Sequence, residues 1–311
     1  MSVLIEYGLS RRFVAIALSL LAIIYIVRLT PHESITNHVF GTSAKAPEAE
    51  VGSSSTNSGF RIGDKVALIS DTEYSASLVP LILHFHVVLG PEWPIVFYTS
   101  AETRDKLNEV NGTASAIWQR TVAAGAIDVR IIPDEWNMTT RQGVNVYLSR
   151  PWLWEQMAPA KHVLVFQTDA MICANSKRTM EDFLHFDFIG APMNTRAKLF
   201  NGGLSLRNRN MMMEILANPA NNWEAETAAG TWTLGGEDIW FSRKIELLGG
   251  NLPTFAESLT FSCQHDWHIS REKQPLGYHK VHKVAAKQLP EIAEWCPEIA
   301  LAAPGKLAQH A

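Results

Sequence analysis

Four short apolar runs, each separated from the next by a stretch long enough for a helix, constrain this chain most. They are Lys65–Ser70 (KVALIS), Pro94–Thr99 (PIVFYT), Asp128–Ile132 (DVRII) and His162–Gln167 (HVLVFQ). Leu78–Leu89 (LVPLILHFHVVL) reads as an apolar helix, and a second helix is expected over Asn145–Met157. Strands that are apolar throughout, rather than alternating, belong in a sheet covered on both faces. Helices between them make that sheet parallel. The expected fold is therefore α/β, one domain with a mostly parallel twisted sheet flanked by helices. Ligands of such sheets bind outside the carboxyl ends of the strands. The ends to watch are Ser70-Asp71-Thr72-Glu73 and Gln167-Thr168-Asp169. The second half is less regular, with turn-rich strands around Asp187–Pro192 and Asn201–Arg207, then a helix over Glu237–Leu248. No internal repeat is visible.

At 311 residues, 47% hydrophobic and 19% charged, the chain can bury a sizeable core. The formal net charge is -4 and no basic tract occurs. Nucleic acid is thereby a poor candidate partner. Three cysteines, Cys173, Cys263 and Cys296, are too few for a disulfide-built scaffold and match no zinc motif. One disulfide in an oxidising compartment and three unpaired thiols both fit.

Residues Phe13 to Val27 form an uncharged, mostly apolar stretch, preceded by Arg11 and Arg12 and followed by Arg28. A bilayer span takes about 20 residues, so this one is short and suits a thin, early-secretory membrane. No small-x-small cleavage site follows. The expectation is an uncleaved anchor over 13–29 with a cytoplasmic tail over 1–12. A Ser/Thr/Gly/Pro-rich stem over 30–63 is expected next, then the body over 64–285 and a C-terminal tail over 286–311. The sequons Asn111-Gly-Thr113 and Asn137-Met-Thr139 suit a lumenal body. A single-pass type II protein of the Golgi or ER is therefore expected.

Asp169 ends the run FQTDAMIC. A strand-end carboxylate can hold a hard divalent cation and, through it, a diphosphate; it can equally cap the next turn. In Asn201–Arg207 (NGGLSLR), Gly202 and Gly203 permit either close backbone approach to a ligand or a sharp turn. Arg207 is a candidate phosphate contact. Glu237 and Asp238 follow Gly235-Gly236 in the first turn of a helix, where acidic residues are favoured for electrostatic reasons alone. They also suit a general base and an acceptor-binding carboxylate. His279, in PLGYHKVHK, can complete a metal site with Asp169. Trp232 is either core or a platform for a sugar face.

The order of these segments resembles GT-A-fold glycosyltransferases. HVLVFQTDAMIC looks like their D-x-D segment, with Gln167 where the first Asp would stand and Asp169 as the second. WTLGGEDIWFSRKI is similar to the W-G-G-E-D segment of inverting galactosyltransferase-type enzymes. The runs FQTD, DFIGAP, NGGLSLR and GYHK together resemble an uncharacterised GT-A-like family across about Lys65 to Lys283. The resemblance implies a nucleotide-sugar donor and a hydroxyl acceptor on a glycan, glycoprotein or glycolipid. It implies Mn2+ or Mg2+ on Asp169 and His279, with Asp71 and Glu73 at the base or ribose. Asp238 would be the base of an inverting transfer and Glu237 would orient the acceptor. Gln167 removes one carboxylate, so Arg150 or Arg207 is a candidate to neutralise the leaving diphosphate. The competing expectation is a non-catalytic nucleotide- or sugar-binding relic of the fold. A nucleotidyltransferase would want a glycine-rich phosphate loop after the first strand, and SDTEYSAS has none.

Overall fold

A computed structural model of the chain describes residues 59–109, 116–193, 195–270 and 274–307. The expected tail (1–12), anchor (13–29), nearly all of the stem and the sequon at Asn111 lie outside these residues. Among the described residues no helix is long and apolar enough to cross a membrane.

Among the described residues nine strands are formed: β1 (Lys65–Ser70), β2 (Ile95–Thr99), β3 (Ile127–Ile131), β4 (His162–Phe166), β5 (Ala170–Ile172), β6 (Phe188–Pro192), β7 (Phe200–Asn208), β8 (Ser262–Cys263) and β9 (Gly277–His279). Six make a central sheet in the order β3-β2-β1-β4-β7-β6. The four strands from β3 to β4 are mutually parallel. β7 runs antiparallel to both β4 and β6. A small sheet, β5-β9-β8, stands beside it.

The apolar runs become strands because the sheet is buried on both sides. Along β1, Ala67 and Ile69 enter one core, whereas Val66 and Leu68 enter another. β4 divides likewise, Leu164 and Phe166 against Val163 and Val165. Successive strand side chains point to opposite faces, so every position in these runs has to be apolar. Helix Leu78–Leu89 covers the first face with Leu78, Val79, Leu81, Ile82 and Phe85; Phe85 stacks on Phe166 with ring centroids 3.9 Å apart. Residues from Arg141–Leu148, Pro151–Gln156, Arg209–Ala217 and Glu237–Leu248 cover the second.

Three expectations are corrected. The helix expected over Asn145–Met157 is two helices, Arg141–Leu148 and Pro151–Gln156. Pro151 excludes the α conformation at Arg150, which is extended (φ -102°, ψ 144°). The stem ends before residue 63, because Phe60 and Ile62 pack on the second core. Residues 286–311 are not a simple tail. Leu289–Trp295 and Ile299–Ala302 are helical, and Leu289, Ile292 and Ile299 are buried in the first core. Cys296, between these helices, forms a disulfide with Cys173 at the end of β5, 123 residues away.

That disulfide closes a long loop, so its removal should release much denatured-state entropy. Replacing Cys173 and Cys296 together by Ser is expected to cost about 2–4 kcal/mol in urea unfolding. An oxidised wild type no more stable than the double variant would contradict this.

Candidate functional site

The run that ends β4 carries the chain across to the small sheet. Gln167 N–H donates to Gly203 O of β7 at 2.9 Å, and Lys280 N–H donates to Asp169 O at 2.9 Å. Ala170 pairs with His279 across β5 and β9. This pairing fixes His279 over the end of β4. Its Nε2 lies 3.2 Å from Asp169 Oδ1 and 3.2 Å from Gln167 Oε1. Its Nδ1 faces Gln264 Oε1 at 3.3 Å. The imidazole is 1% exposed, and burial lowers its pKa despite the neighbouring carboxylate. Asp169 is 18% exposed. Burial alone would raise its pKa, but His279, Lys280 and Lys283 outweigh that and hold it well below the usual carboxylate range. Lys283 Nζ, on an exposed side chain, lies 3.3 Å from Asp169 Oδ2.

β7 places a second carboxylate next door. Asp238 Oδ2 accepts from Gly202 N–H at 2.9 Å, and its Oδ1 accepts from Ile239 N–H at 2.8 Å. Neither glycine tolerates a side chain. A Cβ on Gly203 would stand 2.1 Å from His279 Nε2, and one on Gly202 would stand 2.5 Å from Arg207 Nη2. The glycine pair therefore serves close packing of His279 and Arg207, not a turn.

Glu237 and Arg207, expected at the acceptor and at a phosphate, are paired with each other. Arg207 is fully buried and makes a two-pronged pair with Glu237, Nη1 to Oε2 at 2.9 Å and Nη2 to Oε1 at 3.1 Å. Its Nε donates to Ser205 Oγ, and Phe188 and Trp154 lie over the guanidinium at 4.7 and 5.5 Å. Burial raises the pKa of Glu237, and Arg207 pulls against it. Arg207 is fully buried and Glu237 is 2% exposed, and each neutralises the other inside the protein. Arg150 is also engaged elsewhere. It pairs with Glu224 beside a cleft lined by Trp136 and Trp152.

Asp71 follows β1 and is tied to the β4 end, its Oδ2 accepting from Thr168 Oγ1 at 3.1 Å. Burial raises its pKa. Glu73 is exposed, and its N–H donates to Asp71 Oδ1. The structure thus brings together Asp71, Asp169, Gly202, Gly203, Asp238 and His279. Sequence reasoning missed Gln264, Lys283 and Asn145, whose Oδ1 accepts from Glu237 N–H at 3.1 Å. Only Lys283 carried a signal, four residues after His279.

The donor set fits a divalent cation. A carboxylate oxygen, an amide oxygen and an imidazole nitrogen converge, both oxygens 3.2 Å from the nitrogen. Neighbouring ligands of an octahedral ion stand about 3 Å apart, from metal–oxygen distances of about 2.0–2.1 Å. With an ion bound, His279 would carry its proton on Nδ1, toward Gln264 Oε1, and turn the Nε2 lone pair to this site. Gln167 contributes an oxygen without a charge, and the set carries one negative charge instead of two.

Residues 126–279 match the model of a family described as a protein of unknown function (DUF5672). No curated protein matches the chain. Several solved structures are similar to it. The mannosyltransferase PcManGT from Pyrobaculum calidifontis, in complex with GDP-Man and Mn2+, is 12% identical over 79% of this chain and 72% of that one, with a TM-score of 0.41. The galactosyltransferase LgtC, in complex with donor and acceptor sugar analogues, is 12% identical over 79% of this chain and all of that one, with a TM-score of 0.45. The bifunctional glycosyltransferase WbbM is 12% identical over 78% of this chain and 50% of that one, also with a TM-score of 0.45.

Two predictions follow from the packing of β7. Gly203→Ala should displace His279 and weaken Mn2+ binding about 10–100-fold, as loss of a supporting contact does; titration calorimetry would read it, and unchanged affinity would dissociate Gly203 from the ion. Glu237→Ala should strand the Arg207 charge and cost about 3–5 kcal/mol of stability, whereas Arg207→Met combined with Glu237→Leu should cost much less. Urea unfolding distinguishes this structural role from a role in acceptor binding, which would leave stability near wild type.

Proposed function

We propose that the chain transfers a sugar from a nucleotide-sugar donor to a hydroxyl of a glycan, glycoprotein or glycolipid, at a GT-A-like site. One observation carries this reading: Asp169, Gln167 and His279 converge at the carboxyl end of β4, and adjacent residues of β7 hold His279 and Asp238. Asp169, Gln167 and His279 would hold Mn2+ or Mg2+. Such an ion, when bound, supplies positive charge opposite the donor's diphosphate. Lys283 replaces Arg150 and Arg207 as the side chain that meets the leaving group, being exposed and already beside Asp169. Asp71 and Glu73, at the end of β1, face the ribose or base. Backbone N–H groups orient both oxygens of Asp238. Asp238 takes the acceptor proton as the acceptor oxygen bonds to the anomeric carbon. The bond to the diphosphate breaks on the opposite face, and configuration inverts.

The rival reading is a nucleotide- or sugar-binding relic. The neutral Gln167 and the Lys283–Asp169 pair favour it. It requires donor binding without turnover.

The same reading places the body in the lumen of the Golgi or ER, tethered by residues 13–29 as a single-pass type II protein. The Cys173–Cys296 disulfide supports an oxidising compartment. The sequon residues Asn137 and Thr139 are exposed, as glycosylation there requires.

Hydrolysis of UDP- and GDP-sugars with and without Mn2+ separates the readings, since a relic turns over nothing. Asp238→Asn should lower turnover about 10²–10⁴-fold while nucleotide binding persists. NMR of the product should show an inverted anomeric centre; retention would remove Asp238 as the base.

A further inference from the structure

Beside the Gly235–Asp238 segment lies a cleft of about 440 Å³, lined among others by Arg141, Gln142, Asn145, Trp223, Thr227 and Trp232. It joins the site through Asn145, which accepts from Glu237 N–H. A Cβ on Gly236, also in the lining, would stand 2.6 Å from Asn145 Oδ1 and 3.0 Å from Asp238 Oδ1. The cleft therefore opens next to the carboxylate assigned as base.

Its chemistry is that of a saccharide site. Trp223 and Trp232 both donate their indole N–H to Gly235 O, at 3.3 and 2.9 Å. Their polar edges are thus spent within the protein; Trp223 is 3% and Trp232 8% exposed, so both pack mainly in the second core and border the cleft with little ring surface. Thr227 Oγ1 is buried and has no hydrogen-bond partner. Gln142 and Asn145 add amide groups. An apolar border with a few placed polar groups suits the hydroxyls and C–H edges of a sugar.

Its charge is one-sided: among the described residues no carboxylate lines the cleft, Asp238 standing behind Gly236, and Arg141 is the cation in the lining. Arg141 is exposed and makes no hydrogen bond or ion pair among the described residues. The acidic residues of the neighbouring helix Trp223–Ala228 are both neutralised, Glu224 by Arg150 and Glu226 by Lys244. A neutral sugar leaves Arg141 without a partner. A carboxylate-bearing sugar gives it a charge-assisted, two-pronged contact.

We infer that this cleft takes the acceptor and selects an acidic saccharide, a chain ending in a carboxylate-bearing sugar, with Arg141 as the specificity determinant. The acceptor role rests on the glycosyl-transfer reading above; the preference for an acidic sugar does not.

The test uses the full-length protein and two probes, a glucuronic-acid-terminated disaccharide and its glucose-terminated counterpart, with binding followed by titration calorimetry. The acidic probe is expected to bind about tenfold or more tightly, as a charged hydrogen bond provides. Arg141→Gln should abolish the difference, and Arg141→Lys should restore part of it. Thr227→Val should weaken both probes alike. Equal binding of the two probes by the wild type, or a preference that survives Arg141→Gln, overturns the inference. Donor hydrolysis by the wild type, measured without any acceptor, tests the glycosyl-transfer reading separately. Absence of hydrolysis together with an Arg141-dependent preference keeps the acidic-saccharide site and removes its acceptor role.

Discussion

The close approach at Gly202 and Gly203 is the constraint on which the rest of the site depends. β7 is the reversed strand of the central sheet, seated between β4 and β6. Because it lies against β4, its glycine step meets the Gln167–Asp169 run directly, through Gln167 N–H and Gly203 O. A missing side chain at 203 lets His279 come down onto Asp169 and Gln167. The absence of one at 202 leaves room for Arg207 and for the approach of Asp238. Any L-residue at either place would push a functional group away from the strand ends, so the chemistry of the site is limited by steric space in the sheet.

Charge at the candidate site is divided between one buried pair and two partly exposed carboxylates. Arg207 and Glu237 lie in the second core, away from water, and neither has a use for any third charged group. Removing one partner is costly because a lone buried charge cannot be rehydrated, whereas replacing both is often close to neutral. The pair is therefore better regarded as a fixture that sets the register of β7 against helix Glu237–Leu248. Asp238, the next residue, is only partly buried and keeps unused lone pairs. Asp169 behaves differently again. Its surroundings hold it ionised, and Lys283, which balances it, is exposed and can move aside at small cost, as an exposed ion pair contributes little.

Much of the sheet was legible because two-sided burial writes itself into sequence as uninterrupted apolar runs. β1 and helices Leu78–Leu89 and Glu237–Leu248 coincide with their expected bounds. Helix Ala101–Asn108 was not legible. It buries only Thr103 and Leu107, so no stripe marks it, and its start depends on a Ser100 cap. Asp169, Gly203 and His279 could be picked out as chemistry-bearing residues, and His279 was expected beside Asp169; that Gln167 and Gly203 would meet His279 as well was not legible. Gln167 and His279 are 112 residues apart and come together through pairing in a three-residue strand. The burial of Arg207 was not legible, because a charged residue in a strand suggests solvent or ligand. Its real partner is 30 residues away, and the aromatic rings that enclose it belong to two other elements. Gln167 read as a loss, one carboxylate fewer; in three dimensions it is also an oxygen donor in place.

The C-terminal helices turn out to belong to the site's support. His279 owes its position to β9, which pairs with β5 through only three residues. Three residues of ladder are too few to hold a strand against thermal opening without tertiary help. That help comes from the end of the chain: Trp295 Nε1 donates to Tyr278 Oη at 3.1 Å, and Cys296 is joined to Cys173, the residue after β5. Trp295, the last residue of helix Leu289–Trp295, and Cys296, which follows it, thus fasten both strands of the ladder that presents His279 to Asp169. An oxidising environment accordingly bears on more than global stability. The disulfide bears on how firmly His279 is held beside Asp169, which ties the redox state of Cys173 and Cys296 to the geometry of the candidate site.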